Sequence, residues 1–85
     1  MAEIRIYGWK SGANKIGAIK IIKEYCRLEL KDAKLLIERS TTGTLTISEN
    51  GDQFFTNSNP EIVNVLFTKR TEFIRKMKEK GFLVS

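Results

Sequence analysis

The sequence predicts an α+β sandwich of order β-α-α-β-α-β, with three helices on one face of a small, mainly antiparallel sheet and an inserted β-hairpin. Three stretches carry that expectation. Residues 3 to 9 alternate in polarity as a half-buried strand does. Residues 11 to 38 read as two amphipathic helices around a tight corner. Residues 44 to 56 place Asn50-Gly51 between two β-branched or aromatic runs, a strong hairpin signal.

At 85 residues there is room for one domain, 1–85. In the first strand, Ile4 and Ile6 share a face with Gly8, and Arg5, Tyr7 and Trp9 share the other. Lys10 to Ala13 form the loop into the first helix, where Asn14 is a good N-cap because its side chain accepts from an amide one turn on. Nothing breaks the helix from Lys15 to about Arg27. At ~100° per residue, Ala18, Ile21, Ile22, Tyr25 and Leu28 form a core arc. On the opposite side Lys20, Lys23 and Arg27 fall within about 40° of Ile16, with Ile19 at the flank. A basic stripe with an apolar centre is a docking pattern: apolar anchors supply contact energy and lysines steer an acidic partner. The plainer reading is a solvated face with one exposed isoleucine.

Arg27-Leu28-Glu29-Leu30 forms the corner, pinned by Leu28 and Leu30. A second helix spans about Lys31 to Arg39 with Ala33, Leu36 and Ile37 inward, and Ser40-Thr41-Thr42-Gly43 breaks it. Thr44 to Ser48 is a strand, Asn50-Gly51 a two-residue turn with both residues at positive φ, and Gln53 to Thr56 the return strand. Asn57-Ser58-Asn59-Pro60-Glu61 reads as polar caps before a proline at the first helical position, opening a helix that runs to Lys80. Its expected core residues are Ile62, Val65, Leu66, Phe67, Phe73, Ile74 and Met77. Gly81 caps it, and Phe82-Leu83-Val84 is a final strand.

Composition narrows the function. Fifteen Lys and Arg against ten Asp and Glu give a formal net charge of +5, which favours an acidic partner. With no histidine and one cysteine, Cys26, the chain has neither a base for a thiol nor a metal site of the usual ligand types. Glu24, Glu29 and Asp32 each have a cation within helical reach, which points to ion pairs and away from acid/base work. Gly12 to Gly17 has the first half of a phosphate-binding loop, but Ala18-Ile19 stand where Lys-Ser/Thr is required. No enzyme, cofactor or metal is expected. A lone cysteine, no signal peptide and no long apolar run suggest a cytoplasmic protein without a membrane partner.

Gly12-Ala13-Asn14-Lys15-Ile16, Ile19-Lys20 and Leu30-Lys31-Asp32-Ala33-Lys34 together resemble the C-terminal domain of the bacterial ribosomal stalk protein, the large-subunit seven/twelve protein. That domain carries a Gly-Ala-Asn-Lys-Val helix start and a Gly-Leu-x-Leu-Lys-Glu-Ala-Lys second helix. The resemblance covers residues 11 to 38, about a third of the chain, and implies this fold, shared with the Clp-protease adaptor that recognises N-degrons. It also implies a function: the stalk domain recruits translational GTPases, elongation factors Tu and G, through the basic-apolar face of its first two helices. The matching positions are Lys15, Ile16, Ile19, Lys20, Lys23, Leu30 and Lys34. Lys23 replaces arginine, Asp32 a longer acid, Leu35 an acidic residue and Glu29 a glycine of the factor-binding surface.

The expectation is a protein-docking module for a translational GTPase or the ribosome. It would be a free-standing monomer without the stalk's N-terminal dimerisation segment, of the kind a phage or mobile element could encode. Docking onto an unrelated host or phage protein is one alternative. Nucleic-acid binding is another, with Lys10, Lys20, Lys23, Arg27 and Lys34 on phosphates and Tyr7 or Trp9 stacking on bases. An N-degron adaptor comes last, because the strand-to-helix loop holds Lys10 and no acid.

Overall fold

A computed structural model describes residues 1–41 and 43–85, with every side chain among them except that of Ser58. Strand β1 (Ala2–Lys10) leads through α1 (Lys15–Cys26) and α2 (Leu30–Ser40) to β2 (Thr44–Ile47) and β3 (Gln53–Val65). A 3-10 turn at Phe67–Lys69 opens α3 (Arg70–Glu79), and β4 (Phe82–Val84) closes the chain. The four strands form one antiparallel sheet in the order β2-β3-β1-β4. The core lies between the sheet and the helices. Ile4, Ile6, Val63, Val65, Phe82 and Val84 from the sheet meet Ala18, Ile22, Ala33, Ile37, Phe73 and Met77 from the helices.

The first helix forms for the expected local reasons. The Asn14 side chain accepts from the Gly17 amide at 2.9 Å, and Ala18, Ile21 and Ile22 are buried. The corner is made without glycine: Arg27 takes the left-handed conformation at φ 55, ψ 41 and ends the helix. Leu30 does not pin that corner; it stands 59% exposed while Leu28 is half-buried. Of the expected break after α2, Thr42 lies outside the described residues.

Three further expectations are corrected. Trp9 faces the helices, not the open side of the sheet. Register shifts between Ile6 and Gly8 against both neighbours, and such a bulge inserts one residue and resets the alternation. Trp9 therefore joins the core and stacks on Phe55, ring centroids 4.7 Å apart and 12° from parallel. Gly8 permits the bulge, since a β-carbon there would strike the Phe55 carbonyl.

The hairpin loop is longer than Asn50-Gly51. Gly51 donates to the Ser48 carbonyl, Ser48 donates to the Asp52 carbonyl, and only Gly51 has positive φ (85°). Glu49 and Asn50 thus form the turn, and Gly51 is the left-handed residue that follows it.

Residues 57 to 65 are strand, not helix. Asn57 to Pro60 bulge out opposite Tyr7, the site in a sheet that tolerates proline, and Glu61 to Val65 resume pairing with β1. Alternation and β-branching in Ile62-Val63-Asn64-Val65 outweigh the capping signals. Val63 and Val65 are buried, whereas Ile62, Leu66 and Phe67 are exposed. The helix that follows keeps Phe73 and Met77 in the core, and Ile74 packs against it.

Candidate docking surface

On α1 the buried arc of Ala18, Ile21 and Ile22 turns the opposite side outward. Lys15, Ile16, Lys20, Lys23 and Arg27 are all exposed there, and Ile16 is 72% accessible. Ile19 is different: half-buried and packed against the core, it can only border the face. On α2, Leu30 and Lys34 are one turn apart and both exposed. Within α1 the separations from Ile16 through Lys20 to Lys23 are four and three, one step per helical turn, and Leu30 and Lys34 repeat the four-residue step on α2.

The lysines of this face lie outside the close ion pairs of the described residues. Among the described residues the ion pairs are Arg39–Glu61 (2.9 Å), Lys69–Glu72 (3.7 Å) and Arg75–Glu79 (2.8 Å). None of these pairs involves Lys15, Lys20, Lys23 or Lys34. Glu24, Glu29 and Asp32 also stand outside them, contrary to the pairing expected from helical spacing. α1 has no acid in its first turn, so the positive end of its dipole adds to Lys15.

A cation missed in the sequence joins this end. The Lys80 stem lies over Gly17, and the Lys80 carbonyl accepts from the Asn14 amide at 2.8 Å. A contact between residues 63 positions apart leaves no local signal.

Beside the face, between α1 and α3, a shallow pocket is lined by Glu24, Tyr25, Arg27, Leu66, Lys69, Glu72 and Lys76. Tyr25 organises it, tilted against Phe73 with the Lys76 ammonium 5.3 Å from its ring centre. A hydrogen bond from Tyr25 holds the Glu72 carboxyl below its usual range, and hydrogen bonding to Tyr25 raises Lys76. These groups are fixed in their ordinary charge states at neutral pH. Cys26 sits on the other flank, where burial pushes its thiol up to about 11 and keeps it protonated.

Trp9 is withdrawn from any base-stacking role by its burial, which leaves Tyr7 exposed on the open side of the sheet. Among the described residues no three potential metal ligands cluster, and no helix is long and apolar enough to cross a membrane. Set against protein-family models, curated proteins and solved structures, the chain matches none.

Proposed function

We propose that the protein is a non-enzymatic docking module that binds an acidic protein surface through the exposed face of α1 and the start of α2. The observation that carries this reading is the 72% exposure of Ile16 and 59% exposure of Leu30 among lysines that form none of the ion pairs found among the described residues. Large apolar side chains left in water cost stability and yield energy when a partner covers them. Lysines around them raise the rate of encounter with an acidic surface and add less to affinity.

The residues that resemble the stalk domain, Lys15, Ile16, Ile19, Lys20, Lys23, Leu30 and Lys34, point to a translational GTPase as the partner. Elongation factors Tu and G are the first candidates. An unrelated acidic protein is the alternative within the same class. Nucleic acid is a weaker candidate, because Trp9 is buried.

An NMR titration of ¹⁵N-labelled protein with each factor, beside a short oligonucleotide, tests the assignment. Shifts confined to Lys15, Ile16, Lys20, Lys23, Leu30 and Lys34, and abolished by Lys20→Glu, are expected with a factor. Shifts around Tyr7 and the 44–56 hairpin, or none on α1, would send the search to another partner.

A further inference from the structure

The helices pack on one face of the sheet, and no element among the described residues covers the other. Antiparallel sheets bear such exposure by directing polar side chains outward. Here the outward side chains are partly aromatic. Cross-strand partners share a face, and Trp9 opposite Phe55 marks the inward one, so the next pair, Lys10 and Phe54, points outward. Leu83 stands between the buried Phe82 and Val84 and points outward too. Tyr7 is exposed on the same side.

Tyr7, Phe54, Leu83, Lys10, Thr56 and Asp52 line one groove of about 360 Å³. Its two rings come from β1 and β3, the central strands. Gly8, partnered by Thr56 and Leu83, adds no side chain to the floor, and a β-carbon there would come within 2.9 Å of the Leu83 side chain. Lys10 lines the groove, and Arg5 stands exposed on the same strand, two residues before Tyr7. Neither cation takes part in the ion pairs found among the described residues.

We propose that this face binds single-stranded RNA, with Tyr7 and Phe54 stacking on bases and Lys10 and Arg5 meeting the phosphates. Rings presented on an open sheet take the flat faces of unpaired bases whatever their identity, and a duplex hides those faces. The charge fits as well, since a lysine and an arginine outside any close ion pair flank the rings in a chain of net charge +5. An acidic peptide would use the cations but would leave the rings without a flat partner.

Asp52 selects the sugar. Its carboxylate repels phosphate but accepts from a hydroxyl, and the ribose 2′-OH is a donor that deoxyribose lacks. Glu3, exposed near the start of β1, bounds the platform beyond Arg5. Burial of Trp9 does not empty this face of rings, because the register that turns Trp9 inward turns Phe54 outward. The surface lies across the sheet from the α1 docking face, so neither proposal rests on the other.

Fluorescence anisotropy with a labelled single-stranded RNA of mixed sequence, joined to ¹⁵N NMR with the same RNA, tests the assignment. Saturable binding that weakens with salt is expected, with shifts centred on Tyr7, Gly8, Lys10, Phe54 and Leu83. Tyr7→Ala and Phe54→Ala, each checked for folding by circular dichroism, are expected to lower affinity roughly tenfold. Tyr7→Phe and Phe54→Tyr keep the rings and are expected to keep the affinity. DNA of the same sequence is expected to bind more weakly, and Asp52→Ala to remove that difference. No binding of the RNA, shifts centred on α1, or indifference to both alanine substitutions would overturn the proposal. So would equal binding of DNA or of duplex RNA, or tighter binding of polyglutamate than of the RNA.

Discussion

Arg27 ends α1 at φ 55, a region that costs a side chain about 1–2 kcal/mol relative to the right-handed one. Helices usually make this stop with glycine. Arg27→Gly is therefore expected to stabilise the fold by up to about 1 kcal/mol, seen as a higher urea midpoint with an unchanged slope. A lower midpoint would mean that the arginine stem contributes more by packing than its backbone loses. At this scale the sequence was legible at the start of α1, where a residue acts on its own turn. Asn14 caps α1 because its partner, Gly17, is three residues away. Lys80 over Gly17 was not legible, because only the folded chain brings them together.

The elements divide by the same criterion. Both N-terminal helices were readable from the periodicity of Ala18, Ile21 and Ile22, and of Ala33, Leu36 and Ile37, all of which are buried. β3 was not. Asn59-Pro60 is a sound helix start in isolation, but Ile62 to Val65 find β1 alongside, and strand preference is largely a matter of what a strand packs against. The same holds for Trp9, whose face depends on a bulge that alternation alone cannot reveal. Its new position is measurable. Trp9→Ala is expected to cost about 3 kcal/mol or more, the usual loss for a large buried aromatic. Tyr7→Ala, on the open side, is expected to cost far less. Similar small losses for both in urea denaturation would return Trp9 to the outer face.

For the whole molecule, the fold divides its surfaces. Helices cover one face of the sheet, α1 and the start of α2 carry exposed cations around exposed apolar side chains, and a groove between α2 and β3 is lined by Asp32, Leu35, Arg39 and Ile62. The candidate surface was legible because it lies on regular helices, where spacing maps onto direction. The exception is Ile19, drawn partly into the core. The groove beside Ile62 could not be seen while residues 57 to 65 read as helix.

The most direct test of the docking function concerns Ile16, whose exposure in the free protein means that changing it should leave the fold intact. Binding of wild type and Ile16→Ser to elongation factors Tu and G should be compared by titration calorimetry, with melting curves as a control for folding. A tenfold or greater loss of affinity at unchanged stability is expected if Ile16 is the apolar anchor of a docking site, a change of about 1.4 kcal/mol. Equal affinities for the two proteins, or no binding of wild type to either factor, would contradict docking of a translational GTPase on this face.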